Sequence, residues 1–193
     1  MQQHTFPGFF ATDLAWLQDF AGVAAQVLPS SMGATMMEDS LERMPVIRMP
    51  EECRGVSLKG QPMVFLVTGP DTNHTSMFDW TIPAGFATGL HVHRVQEETF
   101  FVLQGACVWH VGDQRIDATP GTFVFIPPGV PHNITNSSSQ PARVLMTVSP
   151  PGHEHYFEEL ARLSAKGSPD PAKLSALRER FDTDQISTLT IQD

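Results

Sequence analysis

From residue 63 to residue 149 the chain breaks into short apolar runs cut by Gly, Pro and Asn. Runs rich in Val, Ile, Phe, Thr and Trp occupy 63–68, 76–82, 88–93, 98–104, 106–111, 122–126, 131–136 and 142–149. Many short strands at this spacing predict an antiparallel sandwich or barrel. No helical period intervenes between them, which disfavours a parallel sheet built from strand–helix–strand units. Two runs, Thr99–Leu103 and Phe123–Ile126, are apolar on both faces, whereas a half-exposed antiparallel strand alternates. Their outer face calls for cover, either by the terminal helices or by a second copy in a homodimer.

The flanks read differently. Thr12 and Asp13 suit a helix N-cap, and Leu14, Leu17, Ala21, Ala24 and Leu28 follow at near-helical spacing until Pro29. Residues 12–28 are thus expected to form an amphipathic helix, and 29–62 an irregular arm with at most a short strand. After Pro150-Pro151-Gly152 the helical period returns with Tyr156, Phe157, Leu160 and Leu163, and Gly167 is placed as a stop. A second short helix is expected over 171–181. The division is 1–62, a helix and arm; 63–150, the barrel; and 151–193, the C-terminal helices, all in one domain without internal repeats.

The candidate chemistry begins with His91-Val92-His93. Residues two apart in a strand point the same way, so the two imidazoles share a face. Alone, the pair suits a satisfied surface position better than a metal. Glu98 lies an odd number of residues after His93 and joins it only if the chain turns over the polar stretch Arg94–Glu97. The returning strand then carries Glu98, Phe100, Val102 and Gln104 inward, and Gly105 ends it. In the second half, Gly121, Pro127 and Gly129 punctuate a strand and a turn, and His132 restarts the chain on a facing strand from which it can complete the cluster.

These positions resemble the cupin superfamily. Its first motif, G-x5-H-x-H-x3,4-E-x6-G, is met by Gly85, His91, His93, Glu98 and Gly105. Its second, G-x5-P-x-G-x2-H-x3-N, is met by Gly121, Pro127, Gly129, His132 and Asn136, after a spacer of fifteen residues. The resemblance implies an all-β, double-stranded β-helix (jelly-roll) barrel with N- and C-terminal helices. The group it most resembles is the quercetinase-like monocupins. It implies one divalent transition metal on His91, His93, Glu98 and His132, with Glu98 also the catalytic base of a dioxygenase acting on a small phenolic or ketonic substrate. Three imidazoles and a carboxylate suit Fe, Mn, Ni, Co or Zn and leave open positions, unlike a closed thiolate-rich zinc site. Two other readings stay open: a non-redox isomerase, cyclase or lyase using the metal as Lewis acid, and a sensor that only binds a small molecule.

Trp80, Phe100, Val102, Phe125 and Met146 are candidates for the pocket lining, or simply for barrel filling. Asn136 is expected to cap a turn. His110 and His74 are read as surface residues, and His153 and His155, at a helix start, as a solvated pair that could otherwise meet substrate. The chain has 193 residues and a formal charge of −9, which argues against nucleic acid as a partner. With 41% apolar and 17% charged residues it reads as globular. Two cysteines are too few for a disulfide framework. Neither a signal peptide nor a membrane span is expected, since Asp13 and Asp19 interrupt the only N-terminal apolar stretch, and a cytoplasmic location is the default.

Overall fold

A computed structural model of the chain describes residues 45–187. The helix expected over 12–28, and the arm up to residue 44, lie outside the described residues. In chain order the strands are β1 (Gly55–Leu58), β2 (Gln61–Val67), β3 (Ser76–Ile82), β4 (Phe86–Ala87), β5 (His91–Val92) and β6 (Glu97–Gln104). They continue with β7 (Cys107–Val111), β8 (Gln114–Ala118), β9 (Phe123–Ile126), β10 (His132–Asn136) and β11 (Ala142–Ser149). Two helices follow, α1 (Glu154–Ser164) and α2 (Pro171–Arg180), then a short β12 (Asp184–Gln185).

The strands form two antiparallel sheets. One runs β1-β2-β3-β11-β6-β9, the other β12-β5-β10-β7-β8, with β4 also on β10. Their inner faces enclose one apolar core, as a jelly roll requires. Strict alternation sets what points inward. Along β3, Ser76, Phe78, Trp80 and Ile82 are buried, and along β11, Ala142, Val144, Met146 and Val148. These strands pair in register, with Trp80 opposite Val144 and Phe78 opposite Met146. Phe78 is closed on two sides by edge-to-face contacts, with Phe65 of β2 at 5.4 Å and Phe157 of α1 at 5.2 Å.

Local chemistry explains the turns and caps. Lys59 and Gly60, both at positive φ (49° and 80°), join β1 to β2 in the two-residue hairpin whose twist matches the strands. Gly105, at φ 75°, leaves β6 so close to β11 that an added Cβ would sit 2.8 Å from the Cα of Ala142. Asp170 caps α2 by accepting hydrogen bonds from the amides of Ala172 and Lys173, with Pro171 at the first helical position. Glu154, at the start of α1, is buried yet satisfied. Its carboxylate accepts from the Gly69 amide at 2.8 Å and the Ser76 hydroxyl at 2.6 Å, anchoring the helix to β3.

Among the described residues, nothing covers the outer face of β6 and β9. Phe101, Leu103, Phe123 and Phe125 are exposed large apolar side chains, and neither α1 nor α2 covers them. Cys107, by contrast, faces the core from β7, and burial pushes its thiol up to about 12. No helix among the described residues is long and apolar enough to cross a membrane.

Candidate metal centre

Three strands bring the chemistry together. His91 on β5 lies directly opposite His132 on β10. His93 follows β5, the chain turns over Arg94–Gln96, and Glu98 returns on β6 between Val148 of β11 and Ile126 of β9. The Gly129 amide donates to the His93 carbonyl at 2.7 Å, tying the turn before β10 to the first half of the cluster. All four side chains are buried, and each offers one ligand atom within 4.8 Å of the others. The His91 and His132 rings lie 4.2 Å apart by centroid, and His93 is 5.1 Å and 5.4 Å from them.

Second partners set the tautomers. A carbonyl oxygen can only accept, so each ring nitrogen facing one carries a proton. His91 Nδ1 donates to the Gly89 carbonyl at 2.9 Å, His132 Nδ1 to that of Val130 at 2.9 Å, and His93 Nδ1 to that of Asp182 at 2.7 Å. All three Nε2 atoms are thereby turned to the centre, the arrangement in which outer carbonyls orient metal-binding histidines. His93 Nε2 is buried without a hydrogen-bond partner, 3.5 Å from Glu98 Oε1, while His132 Nε2 lies 2.9 Å from Oε2. Three inward Nε2 atoms, one of them without a hydrogen-bond partner, around an ionised carboxylate form a ligand set that fits a divalent cation.

The electrostatics follow from the same geometry. Burial alone would raise the Glu98 carboxyl, but His132 and His93 outweigh it and hold it well below its ordinary range. Burial pushes His91 down to about 4, with His132 beside it adding to the effect. Burial also opposes the charge on His93, but the adjacent Glu98 wins and raises that imidazole above 6.5.

Of the expected pocket residues, Trp80, Phe100, Val102 and Met146 are in the buried core of the barrel. Phe125 is not. It is 48% exposed on the outer face of β9, because Val124 and Ile126 take the inward positions. Gln104 is likewise exposed, as β6 reaches its end there. Asn136 caps a turn as expected: its side-chain oxygen accepts from the Ser138 amide at 3.1 Å, and its amide donates to the carbonyls of Gln140 and Ile82. His110 is half-buried against Asn133, and His74 is exposed.

The expected solvated pair at the start of α1 splits. His155 is exposed beside Glu158. His153 is only 3% exposed and lies against Tyr156 and Phe157, its ring 6.1 Å from His93. The Gln96 amide donates to His153 Nδ1 at 3.2 Å. A helix-cap position carries no periodic signal, so nothing in the sequence marked this side as inward.

Burial pushes His153 down to about 4, whereas in the unfolded chain an imidazole titrates near 6.5. Between those values the unfolded chain binds a proton that the folded chain refuses, so His153 withdraws stability as pH falls through that window. His91 acts in the same direction. Metal-free His153→Phe protein is therefore expected to lose less stability than the parent on acidification, the difference reaching roughly 3 kcal/mol near pH 4. Melting curves of both proteins in chelator across the window check this; parallel declines would show that His153 is not held neutral.

Comparison with known proteins agrees with the architecture. Residues 78–148 match the family model described as the cupin domain. An uncharacterized protein of Methanocaldococcus jannaschii is 31% identical over 80 residues, which cover 41% of this chain and 64% of that one, less than two thirds of the relative. KdgF from a Halomonas species superposes with a TM-score of 0.52 at 15% identity, over 58% of this chain and 99% of that one. An RmlC-like cupin from Shewanella frigidimarina does so with a TM-score of 0.50 at 18% identity, over 60% and 98%. At these identities the superpositions speak for the fold alone. The matched stretch runs from β3 to β11 and encloses every residue of the cluster, and the described residues have the fold of a single cupin barrel.

Proposed function

We propose that this chain is a metal-dependent oxidoreductase of the dioxygenase type, acting on a small phenolic or ketonic substrate. The observation that carries the reading is the set of three imidazoles, each turned inward by its own carbonyl, around a carboxylate held ionised. Imidazole nitrogen and carboxylate oxygen suit Fe, Mn, Co, Ni or Zn, and four protein ligands leave positions open for a substrate. Cys53 and Cys107 are outside the cluster, so it lacks the thiolates typical of a closed structural zinc site. A bound divalent ion supplies Lewis acidity and, if redox-active, the electron exchange that oxygen chemistry needs.

The chain's own residues do the rest. Phe100, Val102 and Met146 give the barrel a dry apolar wall, which strengthens every polar contact inside it. The indole N–H of Trp80 is buried without an acceptor, a donor free for a substrate oxygen. Glu98 is the residue placed to accept a substrate proton, as the resemblance to quercetinase-like proteins implies. Ionised beside two histidines, it becomes basic only by loosening those contacts.

Oxygen dependence tests the reading. Protein loaded with Fe(II), Mn(II), Co(II) or Ni(II) is expected to consume oxygen in proportion to substrate when offered a panel of small phenols and β-diketones. Turnover of any of them under strict anaerobiosis would reject the dioxygenase and leave a Lewis-acid isomerase, cyclase or lyase. A panel member held tightly and recovered unchanged in air would point to a sensor.

A further inference from the structure

The three histidines are not held alike. His91 and His132 each use a carbonyl two residues back in their own segment, Gly89 and Val130. His93 uses Asp182, which is 89 residues away in the segment after α2. The same residue reaches the cluster a second way. One oxygen of the Asp182 carboxylate accepts from the Arg94 amide at 3.0 Å, and the other from the amides of Val95 at 2.8 Å and Gln96 at 3.0 Å. Those are the three consecutive N–H groups of the turn that joins His93 to Glu98.

We propose that Asp182 is a positioning residue of the metal centre, its carbonyl fixing the His93 ring and its carboxylate fixing the turn between two of the four ligands. The proposal rests on the reading of the cluster as a metal centre and extends it to a segment outside the barrel strands. The observations all run one way. Asp182 adopts φ 52°, a left-handed conformation costly for a residue with a Cβ, and the contacts it makes there hold it in place. The segment around it is tied to the strand that bears His91. Asp184 pairs with Val92 and Gln185 with His91, the Ile186 amide donates to the Leu90 carbonyl at 2.9 Å, and Asp184 forms an ion pair with Arg94 at 2.6 Å. On its other side, the Thr183 amide donates to the Arg178 carbonyl at the end of α2. Loss of this segment frees His93 and Glu98 to reorient, while His91 and His132 keep their local anchors.

Asp182→Gly isolates the carboxylate, because glycine adopts the same positive φ without strain and leaves the carbonyl in place. Metal-free full-length protein is titrated with Co(II), read by its visible d–d bands, and melted in chelator. Asp182→Gly is expected to bind Co(II) roughly 10- to 100-fold more weakly, with altered bands. Asp182→Asn, which keeps one accepting oxygen, is expected to fall between this variant and the parent, and stands in if the glycine variant does not fold. Asp184→Asn, which removes the exposed side-chain ion pair with Arg94 but leaves the turn's three amides their acceptor on Asp182, is expected to bind within about twofold of the parent. Equal Co(II) affinity and bands in parent and Asp182→Gly, even with a lower metal-free Tm, would overturn the positioning role while leaving the centre standing. A parent that takes up no Co(II) would overturn both.

Discussion

His132→Ala protein is expected to bind divalent metal roughly 100-fold more weakly, or worse, than the parent. His132 is the side chain on which the other three converge. It faces His91 across the β5–β10 pair, and its Nε2 lies 2.9 Å from Glu98. Truncation takes away a ligand and opens space that water enters, so the remaining donors no longer enclose an ion. It also strips the carboxylate of its nearest partner. Glu98 is fully buried and its charge is kept by His132 and His93, so the metal-free variant is expected to lose on the order of 3 kcal/mol as well. Calorimetric titration with Co(II) or Zn(II) gives the first number, and denaturant unfolding in chelator gives the second. Stoichiometric metal at parent affinity in His132→Ala would remove His132 from the ligand set.

The second large effect belongs to the core. Phe78→Ala is expected to cost about 4 kcal/mol and to lower Tm by roughly 10 °C. Phe78 has no exposed surface, and its two edge-to-face neighbours come from different elements, β2 and α1. A methyl in its place leaves a cavity bounded by a sheet and a helix that are each pinned elsewhere, α1 by the Glu154 carboxylate, so collapse is poor. Phe125→Ala is the matched comparison. The same deletion on the outer face of β9 is expected to cost under about 1 kcal/mol. Similar losses for the two would mean that β9 is buried in the solution state.

How much could be read beforehand depended on contrast between neighbours in the chain. β3 and β11 alternate cleanly, and their expected limits, 76–82 and 142–149, are the observed ones. The ligand cluster was legible because its offsets are rigid: two histidines on one strand face, and a turn needed before Glu98. β9 offered no contrast, since Phe123, Val124, Phe125 and Ile126 are all apolar, and parity assigned Phe125 to the wrong side. β8 was missed because Gln114–Ala118 is an edge strand, paired on one side only and polar in composition. β12 is held by main-chain bonds to β5 and has no apolar residue to announce it. His153 and Asp182 were invisible for a different reason. What places each beside the cluster is the docking of segments distant in sequence, and neither sits in a periodic pattern that would mark a buried face.

A barrel proposed to handle oxygen carries a sulfur atom in its own lining, and burial settles whether that is a hazard. With its thiol pushed up to about 12, Cys107 is ionised in only about one molecule in 10^5 at neutral pH. Peroxide and alkylating reagents attack the ionised form, so the folded barrel is chemically silent at this position. Damage there would mark molecules that had already opened.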